Sequence, residues 1–214
     1  MFLTSVSTFL SYELAVVAYA SNIESLENLS EAVERICEKH CALQLTPEDY
    51  MFVHDNFMES VGEVLGEVVT PEIAAAWSEA IMALANIFIQ TEKNLYAVAK
   101  EKQWLGVKEF TITEIIDEAI DVKSFRFQAK DNVKTGFVPG QYITIFEKPV
   151  DREYFAPRHY TVTSQPEDNY YEVTVKRLVD PADPNNSAHD GFYSNYLHSV
   201  SKRDFFIVSI CSSS

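Results

Sequence analysis

The hydrophobic rhythm of the chain changes once. Up to about residue 100, apolar positions recur at three- and four-residue spacing with almost no turn residues inside the runs; beyond Trp104-Leu105-Gly106 they alternate with polar ones between Gly, Pro and Asp-Asn breaks. The first rhythm is that of amphipathic helices and the second that of half-buried strands. We therefore expect two domains of 214 residues in all, a helical one over 1–103 and an all-β one over 104–214, with the boundary near residues 100 to 106.

Two helix starts are explicit. Thr46-Pro47-Glu48 and Thr70-Pro71-Glu72 each place a capping hydroxyl before a proline at the first helical position, followed by a carboxylate near the positive end of the helix dipole. After the second, Ile73, Trp77, Ala80, Ile81, Leu84, Ala85, Phe88 and Leu95 recur at helical spacing, which predicts a long helix with one buried stripe. Another helix runs from about Leu29 to Glu38 and ends at His40, and a fourth includes Tyr12 to Tyr19. In the second half, strands are expected at Phe110 to Glu114, Val122 to Gln128, Tyr142 to Phe146, His159 to Ser164, Tyr171 to Leu178 and Phe205 to Ile210. Short antiparallel strands so spaced point to a barrel or sandwich. The polar, turn-rich stretch Asp180 to Asp190 reads as a loop between two of its elements, and a short helix is expected over Ser194 to His198.

Composition narrows the function classes. The 47% of hydrophobic and 13% of aromatic residues suit a chain that buries a core, and no run approaches the roughly 18 consecutive apolar residues of a membrane span. A net charge of -15 argues against nucleic acid and against an anionic membrane surface as partners. Three cysteines, Cys37, Cys41 and Cys211, are too few for a secreted disulfide framework, so a reducing, cytoplasmic setting is the default. Cys37 and Cys41 lie beside His40, yet no second Cys/His pair completes a zinc site and the pattern is not Cys-x-x-Cys-His. They read as small buried hydrophobes. The sequons at Asn28 and Asn185 carry no function in that setting.

The candidate chemistry of the β half lies in three segments. Pro139-Gly140-Gln141-Tyr142 opens one strand and Arg158-His159-Tyr160-Thr161 lies in another sixteen residues later. An arginine fork can hold a phosphate, a tyrosine can lie against a flat ring system, and a threonine hydroxyl can bond a ring nitrogen or carbonyl. Gly191-Phe192-Tyr193-Ser194 adds a glycine that lets the backbone approach a pyrophosphate, and donors at a helix start. Alone, each segment is ordinary strand or turn. In this order they resemble the FAD-binding barrel of the ferredoxin-reductase superfamily, which implies that Arg158 contacts the pyrophosphate, Tyr160 stacks on the flavin ring and Thr161 bonds it. Tyr142, His159 and Ser194 are the further cofactor-binding candidates.

The helical half offers an imidazole at a helix end. Such a residue is more often structural, but His40 could ligate a haem iron if its other N–H had an acceptor, and Glu92 with Tyr50 would serve. Glu92 falls four residues after Phe88 on the expected buried stripe, which favours that role over a solvated charge. Ala18-Tyr19-Ala20-Ser21-Asn22-Ile23, Ala32-Val33-Glu34-Arg35-Ile36, Lys39-His40, Pro47-Glu48-Asp49-Tyr50, Ala76-Trp77 and Ala85-Asn86-Ile87-Phe88-Ile89 are similar to the second half of a flavohaemoglobin's globin domain. The likeness runs from about Ala15 to Phe206, across both halves in the family's domain order.

That resemblance implies a partial all-α globin followed by a six-stranded antiparallel barrel of the ferredoxin-reductase type. It makes His40 the proximal ligand of haem b, Tyr50 and Glu92 a hydrogen-bonded relay to it, and Lys39 a neighbour that tunes the haem. The activity it implies is nitric oxide dioxygenation, in which electrons pass from NAD(P)H through FAD to haem and nitric oxide reacts with dioxygen to give nitrate. The family's distal tyrosine and glutamine have no match, Thr8 standing at the glutamine's place, and Met1 to Tyr12 departs from the family pattern. The expectation is also that the nicotinamide-binding domain of the family is absent after Ile210. The expectation is thus a fragment whose own activity is open. The competing readings are a non-enzymatic haem or oxygen-binding sensor module, and a plain ferredoxin-reductase-type flavoprotein with an unrelated helical leader.

Overall fold

The structure, a computed structural model, describes residues 19–25, 29–102, 104–132, 136–148, 155–179 and 191–210. Three long helices come first: α1 (Ser30–Ala42), α2 (Pro47–Leu65) and α3 (Pro71–Lys102), with a 3-10 turn at Gly66–Val68. Six strands and one short helix follow: β1 (Lys108–Ala119), β2 (Val122–Ala129), β3 (Tyr142–Phe146), β4 (Arg158–Thr161), β5 (Tyr171–Lys176), α4 (Phe192–Ser199) and β6 (Phe205–Ile210). The expected helix over Tyr12 to Tyr19 lies outside the described residues except at its end, where Tyr19 to Ser21 are helical. The Asp180 to Asp190 loop, the sequon at Asn185 and Cys211 also fall outside them.

Both threonine-proline signals start helices. At α2 the Asp49 carboxylate accepts from the Thr46 backbone N–H at 2.7 Å, closing a capping box over the first turn. Helix α1 runs two residues past His40 before the chain turns at Gln44, which takes a φ of 62°. There Leu45 N–H donates to His40 O at 3.1 Å and Gln44 N–H to Cys41 O at 3.0 Å, the paired bonds of a Schellman ending.

The stripe on α3 is only partly buried, contrary to the sequence expectation. Ala85, Glu92, Leu95 and Ala99 are buried, whereas Ile73 is exposed and Trp77, Ala80, Ile81 and Leu84 are half-covered. The reason is length: a 32-residue helix spans about 48 Å and α1, with 13 residues, covers only about 20 Å of it. By length and composition alone α3 is long and apolar enough to cross a membrane. Met51, Phe52, Val53, Val64 and Leu65 of α2 are also exposed.

The strands form one sheet in the order β4-β3-β6-β1-β2-β5, every pairing antiparallel. Its two edges approach through the bridge Val162–Val173 and the bond from Thr163 N–H to Glu172 O, so the sheet curls toward a barrel, with no full ladder at the join among the described residues. Phe110, Ile112, Phe125, Phe127, Ile143, Ile145, Val208 and Ile210 fill the interior. The expected Phe110 to Glu114 strand extends to Ala119, pairing tightly with Val122, and Asp121 in the turn adopts a φ of 58°. Arg177 holds that turn through the Asp121 carboxylate at 2.6 Å.

Candidate functional site

Helices α1, α2 and α3 bring His40, Tyr50 and Glu92 together across 52 residues of sequence. His40 Nδ1 lies 2.8 Å from Glu92 Oε1 and 2.9 Å from Tyr50 Oη. The Tyr50 hydroxyl donates to the same Glu92 oxygen. Burial and, next, the Glu92 hydrogen bond push the Tyr50 phenol well above its ordinary range, so it stays protonated and acts as donor. A carboxylate oxygen accepts only, so the proton between His40 and Glu92 sits on Nδ1. That tautomer leaves the lone pair on Nε2, and no described residue is bonded to it.

The surroundings hold this geometry. Glu92 is 3% exposed, and the His40 side chain is partly open at 25%. Phe88, one turn before Glu92, sets its ring edge-on to His40 at 5.7 Å and stacks on Tyr50 at 6.1 Å. Cys37 and Cys41 are buried thiols whose Sγ atoms face the carbonyls of Phe88 and Glu92 at 3.8 and 3.9 Å. They pack as the small apolar residues expected from the sequence. Lys39 is exposed, and its charge lies close enough to His159 to lower the histidine's pKa.

The residues of the β half divide between two sheet faces. Arg158 and Tyr160 pair with Ile145 and Ile143, so they share the interior face, whereas His159 and Thr161 pair with Thr144 and Tyr142 on the outer face. On the interior side Tyr160 stacks on Tyr193 of α4 at 6.3 Å, and the Arg158 guanidinium lies 5.7 Å from the same ring. Burial pushes the Tyr160 phenol up to about 12. On the outer side the Tyr142 and His159 rings are 4.8 Å apart. Gly140, which the sequence places at a strand opening, needs its glycine for a φ of 96°.

Gly191 and Ser194 have local employment. A Cβ on Gly191 would stand 2.7 Å from both Leu178 Cβ and Ser194 Oγ, so the glycine admits a close chain crossing. Ser194 Oγ accepts from Leu178 N–H at 3.1 Å and donates to Gly191 O at 2.9 Å. Phe88 and Tyr193 touch candidate residues although the sequence alone gives them no such place. Helical spacing puts Phe88 one turn before Glu92; Tyr193 sits inside the Gly-x-x-Ser segment, where only the fold reveals that it faces Tyr160.

Known proteins share this arrangement of sequence and fold. The globin family model matches residues 8–88. The Flavohemoprotein of Oceanobacillus iheyensis is 36% identical over 186 residues, covering 86% of this chain and 44% of its own length. Flavohemoprotein B of Dictyostelium discoideum is 33% identical over 194 residues, with the same two coverages.

The chain belongs to the flavohaemoglobin family.

It spans under half the length of these relatives of the flavohaemoglobin family. The crystal structure of flavohemoglobin from Malassezia yamatoensis, determined with bound FAD and heme, superposes with a TM-score of 0.74 over 99% of this chain and 54% of its own. At 22% identity that likeness shows the flavohaemoglobin fold, a globin-like helical part followed by an antiparallel reductase-type sheet.

Proposed function

We propose that this chain supplies the proximal haem side and the flavin side of an oxidoreductase that converts nitric oxide and dioxygen to nitrate with NAD(P)H electrons. Residues to 103 carry the haem side and residues 104–214 the flavin side. The observation that carries the reading is the doubly held Nδ1 of His40, which presents Nε2 as a ligand to haem b iron. Glu92 and Tyr50 fix the ring's orientation, and the carboxylate makes the imidazole a stronger donor, which favours oxygen activation over storage. Bound haem would supply the one-electron and oxygen chemistry, and bound FAD the exchange between two-electron and one-electron transfer that NAD(P)H requires.

The flavin residues fit the same reading. Arg158 and Tyr160, on one face of the strand beside α4, offer a phosphate fork and an aromatic face, with Thr161, Tyr142 and His159 across the strand. Ser194 contributes by closing the turn at the start of α4, and Lys39 contributes positive charge beside the iron ligand. The low cysteine count, three in the chain, is in keeping with a reducing cytoplasm.

The test is to load the chain with haem and FAD and record its spectrum. His40→Ala should abolish the haem band and leave the flavin band. Unchanged haem content would overturn the proximal-ligand role and favour the plain flavoprotein; haem uptake with no reduction by NAD(P)H through bound flavin would favour a sensor module.

A further inference from the structure

The helices and the sheet meet along one cross-strand row. Thr144 in β3 is the register partner of both Ser209 in β6 and His159 in β4, so these three side chains stand side by side on one face. It is the outer face, because the alternate residues Ile143, Ile145, Val208 and Ile210 fill the barrel interior. Polar residues on an outer face normally meet water. Here Thr144 and Ser209 are both 0% exposed, and the last turn of α1 lies against Ser209.

The contacts along the row are specific. Ser209 Oγ donates to Ala42 O at 2.6 Å, in the last turn of α1. Thr144 Oγ1 and His159 Nδ1 share a hydrogen bond of 2.8 Å, and His159 lies at the rim beside Lys39. Tyr142, two residues before Thr144 on the same face, packs into the helical cluster of Cys37, Cys41, Ala42 and Leu95. The carbonyls that end α1 can be accounted for one by one. Lys39 O and His40 O accept from Leu43 N–H and Cys41 O from Gln44, all within the helix and its turn, whereas Ala42 O is served by the sheet.

We propose that the Ser209–Thr144–His159 row is the docking seam that fixes the helix bearing His40 against the strands bearing Arg158 and Tyr160, with Ser209 as the positioning residue. The row runs through β6, β3 and β4, neighbours in the sheet, and ends on the strand that carries the candidate flavin residues. Its consequence for electron transfer rests on the proposed function: the path from flavin side to haem side crosses this seam. A serine that merely filled space would be replaced by alanine with local effects only.

The test uses the full chain with Trp77→Phe, which leaves Trp104 in the barrel core as the single tryptophan. Urea unfolding followed by helical ellipticity and by Trp104 fluorescence should coincide in this parent. In Ser209→Ala the helical curve should move to lower urea and separate, reflecting a loss on the order of tenfold in the docking equilibrium once a buried carbonyl lacks its donor. Superimposed curves in Ser209→Ala would overturn the seam. Hydrogen exchange on the unmodified chain tests the seam a second time without any variant. Amides of α1 and of β3 and β6 should open together, and independent opening would overturn it. In the chain loaded with FAD and haem, Ser209→Ala should slow flavin-to-haem electron transfer at unchanged cofactor content; an unchanged rate would overturn the positioning role. Should the chain take up neither cofactor, the proposed function falls, and unfolding and exchange still decide the seam.

Discussion

Glu92 lies 2.8 Å from His40 Nδ1 and receives the Tyr50 hydroxyl on the same oxygen, so one buried carboxylate satisfies two donors from two other helices. Removing it should therefore cost more than a typical surface change. Glu92→Ala strands both donors in a 3% exposed site and should lower stability by roughly 2 kcal/mol or more, read from urea midpoints. Glu92→Gln keeps an acceptor and the side-chain volume and should cost clearly less; equal losses would mean that the carboxylate charge, not the presence of an acceptor, sets the effect.

Arg158 gives a prediction about ligand parts. If its guanidinium holds the pyrophosphate, Arg158→Ala should weaken FAD binding roughly tenfold or more, the worth of a charge-assisted hydrogen bond. Riboflavin, which lacks phosphates, should bind unchanged. Fluorescence titration with both ligands checks this, and an equal loss for riboflavin would move the arginine's role to the ring.

His159 makes stability depend on pH. Burial, then the charges of Lys39 on α1 and Arg158 on its own strand, lower its pKa from the ordinary 6.5. The unfolded chain thus takes up the proton first, so stability is full above pH 6.5 and falls as the pH drops below it. His159→Asn should flatten that slope between neutral and mildly acidic pH. Thermal midpoints across the range measure it, and parallel profiles for both proteins would refute the assignment.

Gly191→Ala places a methyl where Leu178 Cβ and Ser194 Oγ already stand, 2.7 Å away. We expect a loss of about 1–3 kcal/mol from overpacking, seen in thermal unfolding. Flavin affinity measured on the folded fraction tells whether the crossing also shapes the candidate binding face.

Local signals carry most of the helical half. Thr46-Pro47 and Thr70-Pro71 announce helix starts because capping and proline chemistry act within one turn, and the spacing of Phe88 and Glu92 is helical arithmetic. The triad of His40, Tyr50 and Glu92 is legible through resemblance, since nothing local tells a chain which helices will pack. Ser209 and Thr144 are illegible for a related reason. Their place in one row depends on the register of three strands drawn from distant segments, and each alone reads as an ordinary polar strand residue. The β1–β2 hairpin looks shorter in the sequence than it is because Asp117-Glu118-Ala119-Ile120-Asp121 has no glycine or asparagine, and its turn is held instead by Arg177.

The open apolar face of α2 has a consequence for handling the protein in solution. Phe52 at 71% and Val64 at 81% exposure are adhesive surface, and what keeps such molecules apart is their common charge of -15. Salt shortens the reach of that repulsion to about 8 Å at physiological ionic strength, and acid removes it as the isoelectric point of 4.7 is approached. Colloidal stability should accordingly be best in dilute, slightly alkaline buffer, with light scattering rising on acidification before any helix melts.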